Sequence, residues 1–192
     1  MNYGESLGYW YLRFNGFFPL TRFVLHKSSG IKHTSDCDLL AVRPPHVFEE
    51  VGGQPDDWDL ALPSLFSDGV TVGLICEVKT GRYDPVKLFP TANVQYAVGR
   101  LGLIPRQHRE AAAIELRQSA VIEPSPSLRI AQLLISPDGK GGANFIGISE
   151  KAVLEFIHSR ISKYKDEKYR DRHFFDSDLL QHIIAEIKRV SM

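Results

Sequence analysis

The chain has only two cysteines, Cys37 and Cys76, among its 192 residues. Two thiols are too few for a disulfide framework or for a cysteine-based zinc site. There is no excess charge of either sign, since 23 Lys and Arg balance 23 Asp and Glu. A neutral total neither selects nor excludes a nucleic-acid partner and leaves that question to local patches. No apolar run approaches the length of a membrane span. The opening residues lack the charged-then-apolar layout of a secretory leader. No membrane partner is therefore expected, and the protein is placed in the cytoplasm. Internal repeats and low-complexity tracts are missing. The seven histidines show no paired metal spacing, and the serines have no nucleophile-elbow context. The run Asp138-Gly139-Lys140-Gly141-Gly142 lacks the pattern of a phosphate-binding loop and reads as a hairpin turn.

What is present is enough apolar material, 43% of residues, to build a full core. The length fits one α/β domain, so residues 1–192 are read as a single unit. Residues 44–69 carry six acids and no Lys or Arg, whereas residues 79–109 carry six bases and one acid. Each run reads either as a solvated surface or, more sharply, as an acidic insertion bordering a basic track. Arg100, Arg106, Arg109 and Arg117 belong to the same choice, between phosphate contacts and an exposed helix face.

Leu7, Trp10, Tyr11 and Phe14 recur at helical spacing over residues 4–15, and Asn15-Gly16 is a stop signal. Strands are expected over 17–25, 36–43, 70–79 and 129–136, with Ala143–Ile148 as the hairpin partner of the last. The 70–79 strand is apolar on both alternating faces, which predicts a central position covered on both sides. Helices are expected over 91–103, 106–119, 150–164 (capped by Ser149) and 177–190. Residues 44–69 read as a long loop with a short helical piece near Leu60–Leu65, and residues from about 150 onward as a C-terminal helical extension. The order predicts a mixed sheet flanked by helices, in the α/β or α+β range.

The strand over 70–79 closes on Glu77-Val78-Lys79. Strand side chains alternate, so Glu77 and Lys79 share one face while Cys76 and Val78 share the other. An acid two residues before a lysine is weak by itself, because Glu186-Ile187-Lys188 and Asp166-Glu167-Lys168 repeat it in helical or linker context and Asp138-Gly139-Lys140 in a turn. Only Glu77 and Lys79 close an apolar strand. Asp38 stands at the head of Leu39-Leu40-Ala41-Val42, with Asp36 on its face as a rim residue. If the two strands are neighbours, Asp38 and Glu77 can meet, and a divalent cation relieves the repulsion between two carboxylates. Carboxylates suit Mg²⁺ or Mn²⁺ rather than zinc. The alternative is a structural ion pair at a strand end. Cys37 and Cys76 are expected to point away from the acids as small buried hydrophobes.

Taken in order, Gly4-Glu5-Ser6-Leu7, Tyr11-Leu12-Arg13-Phe14-Asn15-Gly16-Phe17, Ser35-Asp36-Cys37-Asp38-Leu39-Leu40-Ala41-Val42 and Ile75-Cys76-Glu77-Val78-Lys79-Thr80-Gly81 resemble the PD-(D/E)xK nuclease superfamily, which includes restriction enzymes and Holliday-junction resolvases. The resemblance covers residues 4 to about 103. It implies a restriction-endonuclease-like fold, with a mixed central sheet and helices on both faces. It also implies Mg²⁺- or Mn²⁺-dependent hydrolysis of phosphodiesters in nucleic acid, with DNA the favoured polymer. Asp38 and Glu77 would be metal ligands, joined by the carbonyl of Val78 and by Glu5 from the first helix. Lys79 would orient the attacking water, and Gln95 would assist from the next helix. Many members work as dimers, so a homodimer is admitted. Glu5 can instead complement the helix dipole, and Gln95 can instead face solvent. The long stretch between Asp38 and Glu77 implies an insertion at or near the site, where its acids would repel a phosphate backbone. A catalytically inactive module of the same fold, binding nucleic acid or a protein, is the alternative reading.

Overall fold

The computed structural model describes residues 2–21, 37–167 and 177–190. Among these residues the architecture is mixed α/β: one six-stranded mixed sheet with five α-helices. The helices are α1 (Tyr3–Phe14), α2 (Thr91–Leu101), α3 (Arg109–Glu115), α4 (Glu150–Lys163) and α5 (Asp178–Val190). The strands are β1 (Phe18–Thr21), β2 (Leu39–Arg43), β3 (Thr71–Val78), β4 (Val121–Ser125), β5 (Leu128–Ser136) and β6 (Ile146–Ser149). Their order is β1-β2-β3-β5-β4, with β6 also pairing β5. The β2–β3 pair is antiparallel and β3–β5 is parallel. Residues 22–25, the turn at Ser28–Gly30, Asp36 and residues 168–172 lie outside the described residues.

β3 is central, as its two apolar faces require. On one face, Val72, Leu74 and Cys76 pack with Leu7 and Tyr11 of α1, Val153 and Ile157 of α4, and Leu180 and Ile184 of α5. On the other, Ile75 packs with Leu40, Leu134, Val94 and Val98 of α2, and Ala113 of α3. The C-terminal helices are thus built into a core face of the sheet. Among the described residues, no helix is long and apolar enough to cross a membrane.

α1 begins with a reciprocal cap: the Glu5 amide donates to Asn2 Oδ1 (2.8 Å) while the Asn2 amide donates to Glu5 Oε2 (3.2 Å). Gly4 and Gly8 let this helix lie close on β2 and β3. A Cβ at Gly8 would stand 2.7 Å from Leu39 Cδ1 and 3.0 Å from a methyl of Val78, and one at Gly4 would stand 2.9 Å from Thr80 Cγ2.

Two expectations for the second half change. β4 was hidden by its prolines, in Glu123-Pro124-Ser125-Pro126. Proline is tolerated here because, among the described residues, β4 pairs only with β5 and its register shifts between Ile122 and Ser125, so the missing N–H falls at an irregular edge. β6 is not the hairpin partner of β5, because the two run parallel, Leu133↔Ile146 to Ser136↔Ser149. The chain first doubles back beside the future β6, with Gly142 bridging Phe145. Glycines permit this approach. A Cβ at Gly147 would lie 2.3 Å from the carbonyl carbon of Lys140 and 2.4 Å from the Gly141 nitrogen.

The 44–69 segment contains two short 3₁₀ turns, Pro55–Asp57 and Pro63–Leu65. It joins the end of β2 to the start of β3. Antiparallel pairing puts Asp38 and Glu77 at the opposite end of those two strands. The acidic segment is therefore not at the site, which corrects the expectation from spacing alone. It is also anchored inward: Leu62 and Leu65 are fully buried, and Asp59 accepts from the Tyr11 hydroxyl (2.8 Å). The Asp57 carboxylate accepts from Lys163 (2.7 Å) and from the Tyr164 hydroxyl (2.7 and 2.8 Å). Arg160 donates to the carbonyls of Gly52 and Asp57. Arg43, whose guanidinium lies over the rings of Trp58 (4.9 Å) and Phe66 (4.3 Å), closes the seam.

Candidate functional site

The last ladder pair of β2 and β3 is Leu39↔Cys76. One step further brings Asp38 opposite Glu77, and alternation puts Lys79 on the same face as Glu77. The three side chains converge. Lys79 Nζ lies 2.6 Å from Glu77 Oε2 and 3.1 Å from Asp38 Oδ2. The Val78 amide donates to the same Asp38 oxygen at 2.7 Å. In a regular strand the carbonyl of a residue lies on the same side as its N–H. The Val78 carbonyl therefore faces the β2 edge that carries Asp38.

Side-chain exposures are 16% for Glu77, 23% for Asp38 and 33% for Lys79, so the cluster is desolvated but reachable from outside. Burial, the largest influence, together with the neighbouring Asp38 carboxyl pushes Glu77 up to about 7 despite the pull of Lys79. Burial works against the charged form of Lys79, but Glu77 and Asp38 outweigh it and hold the ammonium above the ordinary lysine value. Both carboxyls meet the one ammonium of Lys79. Two adjacent carboxylates that one ammonium does not fully balance are a donor set that fits a hard divalent cation.

Glu5 is not brought to this group. Its two carboxylate oxygens are taken by the backbone and side-chain nitrogens of Asn2. Its helix packs on the Val78 and Thr80 face of β3, opposite to the face that carries Glu77 and Lys79. Gln95 is half-buried on α2, next to the buried Val94, and its amide has no hydrogen bond among the described residues. Among those residues, no group of three or more His, Cys, Asp and Glu gathers as a metal cluster. Asp38, Glu77 and the Val78 carbonyl remain as the candidate ligands.

Cys76 points away from the acids, into the α1 side of the sheet, as expected. Cys37 does not. It packs with Leu40 and Ile75, on the face that carries Glu77, because the chain bends at Asp38 and regular alternation stops there. Both thiols are buried and unpaired. Burial, followed by the charges of Glu77 and Asp38, raises the Cys37 thiol well above the usual range.

A cleft of about 780 Å³ opens next to the cluster, beyond the carboxyl ends of the parallel strands β3 and β5. In open sheets such crevices are where ligands bind. Tyr83, Pro137 and Phe145 form its apolar wall, with Arg82, Lys140 and Asp138 around them. The link to the cluster is through the ladder. One step beyond Val78↔Ile135 places Lys79 beside Ser136, and the Ser136 hydroxyl donates to Asp138 Oδ1 (3.0 Å). The Tyr83 hydroxyl donates to the same Asp138 oxygen (3.1 Å). Sequence reasoning missed Tyr83, Ser136 and Asp138 as a group. The only signal was that Arg82-Tyr83 follows the Glu-x-Lys strand and Asp138-Gly139-Lys140 follows another apolar strand, and nothing local says that these two strand ends are parallel neighbours. No family model, no curated protein and no solved structure matches the chain.

Proposed function

We propose that the chain is a divalent-metal-dependent nuclease of the PD-(D/E)xK, restriction-endonuclease-like kind, hydrolysing phosphodiester bonds of nucleic acid, with DNA the favoured polymer. The observation that carries this reading is the convergence of Asp38, Glu77 and Lys79 at the ends of β2 and β3, with Lys79 Nζ 2.6 and 3.1 Å from the two carboxylates. Asp38 and Glu77, with the Val78 carbonyl, would hold Mg²⁺ or Mn²⁺. When bound, such a cation polarises the scissile phosphate as a Lewis acid. Lys79 supplies a fixed positive charge on the same face, able to orient a water by hydrogen bonding and to offset charge that builds on the phosphate oxygens. The acidic 44–69 segment lies at the far end of β2 and β3 and does not confront a phosphate backbone entering the cleft.

One observation favours a second reading. Lys79 already bridges both carboxylates, as a cation would, so the cluster can persist as a structural knot in a module that binds nucleic acid or a protein without cutting. One experiment separates the two. Mg²⁺ and Mn²⁺ are titrated into wild type, Glu77→Ala and Lys79→Ala, with thermal stability and cleavage of mixed DNA and RNA followed together. The nuclease reading expects metal to raise the melting temperature of wild type and not of Glu77→Ala. It also expects cleavage to be lost in both variants. Cleavage that persists in Lys79→Ala, or a metal response that survives in Glu77→Ala, would sink it.

A further inference from the structure

We propose that the cleft beyond β3 and β5 takes a single unstacked nucleotide of a nucleic-acid strand, with Tyr83 as its stacking platform. The inference rests on the nuclease reading for its choice of polymer, and its own evidence is the build of the cleft. The Tyr83 ring is tethered at its hydroxyl. Its hydroxyl is hydrogen-bonded to Asp138 Oδ1 (3.1 Å) and to Ser136 Oγ (3.4 Å), and Ser136 is fully buried. A tyrosine tethered at its hydroxyl loses little rotational freedom on binding, which favours a flat ligand laid on its face. Phe145 also lines the cleft, itself backed by Phe89 with ring centroids 5.6 Å apart. A volume near 780 Å³ exceeds what two or three loose waters need and lies within the range of small-ligand pockets.

The charged members of the wall match a nucleotide. Arg82 and Lys140 are exposed in the lining, one following β3 and the other following the neighbouring β5, where they can meet phosphates of a strand that places a base in the cleft. Asp138 would repel a bare phosphate but can accept from the amino group of a base edge. Its own charge is stabilised by the Ser136 hydroxyl, the Lys140 amide and the Tyr83 hydroxyl, which hold its carboxyl below the ordinary range. Gly81 and Gly141 present no side chain to the opening, so a sugar–phosphate chain can pass close to the backbone. A duplex base pair cannot lie flat on Tyr83 without unstacking, so the cleft selects single-stranded, frayed or branched substrate over an intact duplex.

The test is fluorescence anisotropy in EDTA, which removes cleavage from the readout. Wild type, Tyr83→Phe and Tyr83→Ala are titrated against a short labelled single strand, the same sequence as a blunt duplex, and a free mononucleotide. Wild type is expected to bind the single strand more tightly than the duplex. Tyr83→Phe, which keeps the ring, is expected to stay within about threefold of wild type. Tyr83→Ala should weaken single-strand binding about tenfold or more and leave duplex binding unchanged. Equal affinity for strand and duplex, or an unchanged Tyr83→Ala, would overturn the inference. So would a mononucleotide that binds as tightly as the strand, since the cleft would then serve a free nucleotide. Failure here with metal-dependent cleavage intact would leave the nuclease reading standing. Tyr83-dependent strand binding without any cleavage would leave the cleft standing and remove the nuclease.

Discussion

Replacing Glu77 by glutamine should make the protein more stable above neutral pH, and the size of the gain follows from the environment of that carboxyl. Glu77 is 16% exposed, faces Asp38 and is pushed from an ordinary 4.5 up to about 7, chiefly by burial. The folded-state value lies above the unfolded one, so the native state holds a proton that the unfolded chain releases. The associated stability is fully present below about pH 4.5 and is lost as pH rises through about 7. A displacement of that size corresponds to at most about 3 kcal/mol, and the strong interaction of Glu77 with its charged neighbours reduces what one substitution recovers to about 1–3 kcal/mol. Glutamine keeps the shape, cannot ionise and can still accept from Lys79. The assay is the urea midpoint of wild type and Glu77→Gln at pH 4.5, 6 and 8, a difference that cancels every other titrating group common to both. The two should coincide at the acid end and separate progressively, with the variant the more stable at pH 8. Mg²⁺ should narrow the gap at pH 8 by stabilising wild type alone. A variant that is less stable at pH 8, or a gap that does not change with pH, would refute the account of Glu77 as a carboxyl kept partly protonated by its surroundings.

Two further outcomes follow from the packing. Asp57 is fully buried among Lys163, Tyr164 and the guanidinium of Arg160. Asp57→Ala should therefore cost about 3–5 kcal/mol in urea unfolding, because Arg160 is left without its counter-charge; a loss below 1 kcal/mol would show that the node is not closed. Gly147→Ala places a Cβ against the backbone of Lys140 and Gly141. It should lower stability by about 1–3 kcal/mol in a thermal melt and weaken binding at the adjacent cleft, whereas a neutral effect on both would show that the 139–142 segment is not held against β6.

Much of the core was legible locally. Leu7, Trp10, Tyr11 and Phe14 at helical spacing named both α1 and its buried face, and the doubly apolar run over 70–79 named the central strand with helices on both sides. β4 was not legible, because Pro124 is a strand breaker everywhere except at an irregular edge, and edge position is a property of the assembled sheet. The parallel pairing of β6 was hidden for a related reason. A glycine-rich turn after a strand predicts a hairpin, and only the close backbone approach at Gly147 shows that the returning arm is residues 139–142 instead. Glu5 illustrates a competition. A carboxylate near a helix start can serve a distant site or its own helix, and the neighbouring Asn2, three residues earlier, completes the cap.

By itself the sequence determined which residues of β3 share a face, because backbone alternation is local: Glu77 and Lys79 had to share a side wherever β3 lay. Tertiary structure alone decided that Asp38 stands opposite Glu77, since that depends on the register Leu39↔Cys76 between strands more than thirty residues apart in the chain. It decided that the acidic segment sits at the other end of those strands, and that Tyr83 and Asp138 meet at one cleft. Side-chain direction is set by the nearest bonds, whereas register and neighbourhood are set by which apolar faces bury one another, and that is a property of the whole fold.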